Sequence, residues 1–140
     1  MMTIRSRTLL ALCGLIAAAT VQAQPVMQGG ILTDAAGRTL YVFDKDQPGK
    51  SSCQGPCAQN WPAYTAEPAA GAKPAPEASR FEREGAQQWA WMGKPLYYFG
   101  GDTKPGDRNG DGRNGVWHIV QPMAAASGTS PAGKAPASTY

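Results

Sequence analysis

Apolar and polar positions alternate in short bursts along this chain, and glycine-bearing turns separate the bursts. Gly30 to Thr33 is one apolar run, Asp34-Ala-Ala-Gly37 a turn, and Arg38 to Phe43 a second run, a pattern that predicts a β-hairpin. A second set follows the same plan: Gln87 to Trp91, the turn Met92-Gly93-Lys94, and Pro95 to Phe99. Gly115 to Val120 (GVWHIV) predicts a closing strand. Side chains alternate across a strand, so Tyr41 and Phe43 face one way while Leu40 and Val42 face the other. Both sets are apolar, which predicts strands covered on both faces. Thr65 to Ser79, rich in Ala, Pro and Glu, and Ala124 to Tyr140, of similar character, show no apolar periodicity. They predict a mobile linker and a disordered tail.

The two sets are copies of one unit. Gly37-Arg-Thr-Leu-Tyr-Val-Phe-Asp-Lys-Asp46 aligns with Gly93-Lys-Pro-Leu-Tyr-Tyr-Phe-Gly-Gly-Asp102 at an offset of 56. Gly37/Gly93, Leu40/Leu96, Tyr41/Tyr97, Phe43/Phe99 and Asp46/Asp102 match, as do Trp61 and Trp117 further on. Pro48-Gly49 pairs with Pro105-Gly106 after a slip of one residue. Tyr, Phe and Trp are scarce enough that chance is a poor explanation. The expected fold is mainly β, a small single domain over 24–123 built from two homologous hairpin-type repeats packed as antiparallel sheet. Repeat one covers about 29–64, the linker 65–79 and repeat two about 80–123. Large apolar rings belong inside, so a core of paired rings is the first reading of the aromatic repeat. A ring-lined groove for a flat ligand is the second.

Composition changes the picture at the N-terminus. Arg5 and Arg7, the apolar stretch Thr8 to Ala19, and Val21-Gln22-Ala23 read as a cleavable secretory signal over 1–23. Its loss removes two arginines, so the net charge falls from +3 to +1. A chain so nearly neutral, without a Lys/Arg cluster, gives no support to a nucleic-acid or anionic-membrane surface. No later apolar run reaches the roughly 20 residues of a membrane helix, so no transmembrane segment is expected in the mature chain. Eleven of the 12 aromatics fall between Tyr41 and Trp117, which argues for a folded body despite the abundance of proline and glycine.

Tyr41-Val-Phe43-Asp-Lys-Asp46 and Tyr97-Tyr-Phe99-Gly-Gly-Asp102 both fit Tyr-x-aromatic-x-x-Asp. Two such motifs in one exported chain resemble the bacterial family of secreted repeats of unknown function, predicted lipoproteins with the Yx(FWY)xxD motif. Leu32-Thr-Asp-Ala-Ala-Gly37, Cys53-x3-Cys57-x3-Trp61-Pro62 and Gly110 to Val120 carry the likeness further. The resemblance implies an extracytoplasmic protein with no established biochemical activity. One feature departs from a lipid-anchored relative: the signal's only cysteine, Cys13, follows Leu12, which is too large for a lipobox. The expected product is unlipidated, periplasmic or extracellular, and cut near Ala23–Gln24.

Cys53 and Cys57 are the two cysteines that remain after cleavage. In an oxidising compartment a disulfide between them is the expectation. The Gly55-Pro56 turn can bring their α-carbons into range. So short a loop contributes only about 2 kcal/mol on the chain-entropy model. The spacing is not the C-x-x-C of thioredoxin-like redox sites. Met27, Met92, Met123 and the lone His118 are too scattered for a soft-metal shell. Asp107-Arg-Asn109-Gly-Asp111-Gly112 satisfies the opening of a calcium loop, with alternate oxygen ligands around a hard cation. Its twelfth position is His118 rather than glutamate, and Asp-Gly and Asn-Gly are also what a long turn requires. Asp107, Asn109 and Asp111 are therefore carried both as tentative calcium ligands and as turn residues, with no other cofactor expected.

There is no nucleophile elbow, no histidine-rich zinc motif and no phosphate-cradling loop. The expectation is a monomeric non-enzyme: a binding or structural module of the cell envelope, with an unknown envelope protein or small ligand as partner. The alternative is a calcium- or small-ligand-binding protein using the second-repeat loop. Export is directly checkable. N-terminal sequencing of the protein recovered from the cell envelope is expected to begin at or near Gln24 without lipid, and a diacylated Cys13 would contradict the signal reading.

Overall fold

The computed structural model describes residues 23–122. The signal reading, apart from Ala23, and the tail reading lie outside the described residues. Chain order is β1 (Val26–Gln28), β2 (Ile31–Thr33), β3 (Tyr41–Phe43), α1 (Pro56–Asn60), β4 (Ala78–Arg83), β5 (Ala86–Trp91), β6 (Lys94–Pro95), a 3-10 turn (Arg113–Gly115) and β7 (Trp117–Ile119). All named strand pairs are antiparallel: β1 with β2, β3 with β7, and β4–β5–β6 in order.

Each repeat opens with a hairpin whose turn demands left-handed backbone. Gly29 and Gly30 (φ 60° and 81°) turn β1 into β2, and Glu84 and Gly85 (φ 50° and 81°) turn β4 into β5. Positive φ at two successive residues matches the twist of a tight hairpin. Neither β1 nor most of β4 was legible in the sequence, because β1 is three residues long and β4 carries one large apolar residue, Phe81. The helix α1 was missed as well; it starts at Pro56, a residue suited to a first helical position. The predicted linker ends earlier than expected, since Ala78 and Ser79 already belong to β4. It is irregular but anchored. The buried Trp89 indole donates to the Ala66 carbonyl at 2.7 Å, and Arg80 grips Glu67 through two hydrogen bonds of 2.7 and 3.1 Å.

The closing segments of the two repeats are exchanged. β7, from repeat two, pairs with β3 of repeat one in the register Tyr41↔Ile119, Val42↔His118 and Phe43↔Trp117. Reciprocally, residues 60–64 of repeat one pair with residues 96–100: Tyr64 N donates to Leu96 O at 2.9 Å, Tyr98 N to Pro62 O at 2.8 Å and Gly100 N to Asn60 O at 2.8 Å. That last bond has its mate in Asp44 N to Val116 O at 2.9 Å, both members shifted by 56. At the centre Tyr41 and Tyr97 bond to each other in both directions, N to O, at 2.9 and 3.0 Å. Gly49 N to Gly93 O (2.8 Å) and Gly106 N to Gly37 O (3.1 Å) form another mated pair at the rim. The chain is thus pseudo-two-fold about the Tyr41–Tyr97 bridge.

Alternation along β3 splits the core into two layers, as the sequence pattern required. Leu40 and Val42 pack with Leu32, Tyr64, Trp89 and Leu96 on one side. Tyr41 packs with Cys53, Trp61, Tyr97 and Trp117 on the other. Neither layer is complete within one repeat. A chain truncated after Tyr64 loses the partner of its own residues 60–64 and keeps a hairpin that buries too little apolar surface to offset chain entropy. Far-UV circular dichroism of that fragment is expected to show an unfolded chain. A cooperative melt would refute the exchange.

Candidate functional site

The six motif residues meet at the pseudo-two-fold centre, and they meet across repeats. Tyr41 donates its phenolic hydrogen to Asp102 Oδ2, and Tyr97 donates to Asp46 Oδ2, both at 2.6 Å. Each phenol oxygen also has a donor beside it: Gly110 N at 3.2 Å for Tyr41, and the Ser51 hydroxyl at 2.6 Å for Tyr97. The second oxygen of each carboxylate accepts a backbone N–H, from Ser52 to Asp46 at 2.6 Å and from Asn109 to Asp102 at 3.0 Å. Both tyrosines are fully buried. Burial, and then the bond to a carboxylate, push the Tyr41 and Tyr97 phenols well above their ordinary range. Burial also raises Asp46, against the lowering effect of the hydrogen bonds from Ser52 and Tyr97.

Phe43 and Phe99 close a column of rings on this face. Phe43 stacks on Trp117 (4.3 Å, 15°), Trp117 on Trp61 (3.7 Å, 3°), and Phe99 packs on Trp61 (4.5 Å, 35°). Tyr41 meets Trp61 edge-on at 5.4 Å and Tyr97 meets Trp117 edge-on at 5.2 Å. The rings are packed core, as the first reading of the repeat had it. Gly110 lies in a turn, as the Asn-Gly pair indicated, and carries a second constraint that the sequence did not show: a Cβ there would lie 2.8 Å from the Trp61 ring and 2.9 Å from the Tyr41 ring.

Cys53 and Cys57 form a disulfide with α-carbons 5.2 Å apart. It closes the 53–57 turn beside the ring layer, where Cys53 is wholly buried. The Asp107–Asp111 loop does what a long turn requires. Asp107 Oδ2 accepts from Thr103 N (2.9 Å), the Thr103 hydroxyl and Lys104 N (3.2 Å), and these bonds hold its carboxyl below the usual range. Asp111 Oδ1 accepts from Ile119 N at 3.1 Å, and Asn109 O from the Arg113 guanidinium. Among the described residues no group of three or more His, Cys, Asp or Glu is placed to hold a metal ion. His118 sits on β7 with Nε2 2.8 Å from Asp44 Oδ2, half-exposed at the surface.

The other face is open. A groove of about 870 Å³ lies between β1, the β5–β6 turn and the residues after β7, lined by Met27, Val42, Trp91, Met92, Val120 and Pro122 among others. Met27 and Met92 are 38% and 57% exposed, the two large apolar residues that stand out from the surface among the described residues. No sequence signal marked this groove, because its lining comes from five separate stretches. In the other half the corresponding place is full. Val42 corresponds to Tyr98 and Val120 to Tyr64 at the offset of 56, and those two rings contact each other edge-on at 5.4 Å. Tyr98 also donates to Asp34 Oδ2 at 2.7 Å and lies under the Arg38 guanidinium at 4.1 Å.

Two stretches of the chain, residues 26–65 and 81–121, match the sequence profile of the secreted repeat of unknown function. Together they make up more than half of it. The chain belongs to this family. Its first repeat begins at β1, a few residues earlier than the turn pattern alone indicated, and each matched stretch holds one tyrosine, one ring and one aspartate of the exchanged set. No curated protein and no solved structure matches the chain. Among the described residues no helix is long and apolar enough to cross a membrane.

The exchanged pairs generate a measurable pH response. A phenol held protonated in the fold but free to ionise when unfolded contributes stability that is complete below its unfolded pKa and declines above it. Burial raises Tyr41, Tyr97 and Tyr98, and lifts Tyr64 to about 12. Denaturant midpoints are therefore expected to hold up to pH about 10 and to fall as pH rises further, the unfolded tyrosine value. Tyr41→Phe or Tyr97→Phe is expected to cost about 1.5–3 kcal/mol at neutral pH, the range for a hydrogen bond to a charged group. A flat alkaline profile, or Phe variants as stable as the parent, would show that the pairs contribute nothing to folding.

Proposed function

We propose that this secreted-repeat protein is a non-catalytic binding module of the cell envelope, and that its ligand is a small, elongated apolar molecule held in the Met27–Met92 groove. The supporting observation is the broken symmetry. One half of a pseudo-two-fold core is filled by Tyr64, Tyr98, Asp34 and Arg38, while the corresponding half has Val42 and Val120 and leaves about 870 Å³ open. That volume falls within the range of small-molecule sites, and the lining has the apolar, few-polar-group character of such sites. Met side chains adapt to ligands of irregular shape. Glu77 and Lys94 at the rim supply the polar contacts that would orient a ligand with one polar end.

The reading that the module carries out no hydrolysis or group transfer draws on the state of the ionisable groups. The Asp46 and Asp102 carboxylates are each engaged by a phenol and a backbone N–H, and Asp107 and Asp111 by loop N–H groups. The family's secreted character supports work outside the cytoplasm. The test uses anilinonaphthalene sulfonate, an apolar probe with one anionic end, titrated into the folded, disulfide-bonded protein. Saturable binding is expected. Met92→Asp combined with Met27→Asp is expected to weaken it at least about tenfold, roughly 1.4 kcal/mol, which is less than the value of burying one methionine. Near-UV circular dichroism confirms that the variant keeps its ring packing. Absence of saturable binding, or unchanged affinity in the folded variant, would defeat the groove reading.

A further inference from the structure

The ring face carries chemistry that ligand binding in the groove does not use. Trp61 and Trp117 lie face to face with centroids 3.7 Å apart and planes 3° apart. At that separation the two rings are in direct face contact, so a charge placed on one is felt by the other. Phe43 and Phe99 pack against the pair. Beside the indoles stand Tyr41 and Tyr97, each edge-on to one of them and each with its phenolic hydrogen on an aspartate at 2.6 Å.

We propose that this core is a one-electron relay: the indole pair surrenders an electron to a small oxidising radical, and Tyr41 or Tyr97 refills it while the phenolic proton passes to Asp102 or Asp46. The balance is simple. The radical takes one electron and becomes its anion, and the positive charge is shared between the stacked indoles. One tyrosine then gives an electron to the indole pair and a proton to its aspartate. The products are a neutral phenoxyl, a neutral carboxylic acid and restored indoles. A reductant of the small-thiol or ascorbate class returns the electron, and the aspartate returns the proton to the phenol oxygen.

Three features fit this role. A base within hydrogen-bond reach is what proton transfer requires, and both phenols have one in place. Burial makes Asp46 a better proton acceptor than an exposed carboxylate. A pocket of about 380 Å³, with Phe43, Trp61 and Trp117 in its wall beside Lys45 and Asn114, brings small solutes to the column. The relay is independent of the groove reading, since none of its residues lines the groove.

Pulse radiolysis of the folded, disulfide-bonded protein with azidyl radical, an indole-selective one-electron oxidant, is the test. The indole-radical absorption is expected to decay as phenoxyl absorption rises, at a rate independent of protein concentration and slower in D2O. Tyr41→Phe and Tyr97→Phe are each expected to lower the phenoxyl yield. Asp46→Asn with Asp102→Asn is expected to slow the phenoxyl rise about tenfold, equivalent to roughly 1.4 kcal/mol of barrier. A rise that scales with concentration, that is equally fast in D2O, or that is unchanged in a folded Asn variant overturns the relay. Should the Asn variant not fold, the D2O comparison on the unaltered protein decides alone.

Discussion

A phenol buried in an apolar layer is costly unless its hydroxyl meets an acceptor, and a carboxylate drawn toward that layer is costly unless donors meet it. The two requirements are met here by crossing the repeats. Tyr41 belongs to repeat one but its acceptor, Asp102, closes the loop of repeat two; Tyr97 and Asp46 return the favour. With the two-way backbone bridge between the same tyrosines, this crossing fixes the relative position of the halves. The rest follows from it. β7 can reach β3, and residues 60–64 can reach residues 96–100, only when the hairpins are held back to back. Trp117 of β7 and Trp61 of residues 60–64 are thereby brought together at the centre.

Crossing also explains why the glycines and prolines at the rim recur with the motif. Gly37 and Gly93 both have φ above 80°, and each sets its carbonyl against the N–H of the other repeat's Pro-Gly turn. A Cβ on Gly37 would sit 3.3 Å from Pro105, and one on Gly93 3.5 Å from Pro48. The recurring sequence is therefore a set of contacts between copies, and a repeat read in isolation explains none of its own invariances within this chain.

The repeat and the two apolar faces of Tyr41–Phe43 were legible because Tyr, Phe and Trp are rare and alternation over even three residues survives in a buried strand. The expected pairing of 30–33 with 38–43 shrinks to the Thr33↔Thr39 bridge, because β2 pairs with β1 and β3 with β7. The partner of each motif residue was not legible. Tyr41 lies five residues from Asp46 in the chain, and nothing in local spacing says that the bonded aspartate is Asp102. Gly110 read correctly as a turn glycine from its neighbours Asn109 and Asp111, but its further constraint, the Trp61 and Tyr41 rings 2.8 and 2.9 Å from a Cβ there, comes from the other repeat. The groove was illegible for a related reason. It is defined by what is small at Val42 and Val120 in comparison with Tyr98 and Tyr64, a contrast that has meaning only once the pseudo-two-fold is known.

The period of two along a strand gives this architecture a division of labour. Tyr41 and Phe43 point into the ring layer, which is tied down by the aspartates and the disulfide. Val42, between them, points into the other layer and lines the groove. Its counterpart Tyr98 lies between Tyr97 and Phe99 and fills the same space in the other half. A change at position 42 or 98 can thus open or close a cavity on one face without moving a ring on the other. The determinants of folding and the determinants of the groove are interleaved in sequence and separated in space. A repeat whose ring face is fixed in this way can vary the residues of its opposite face at small cost to the frame.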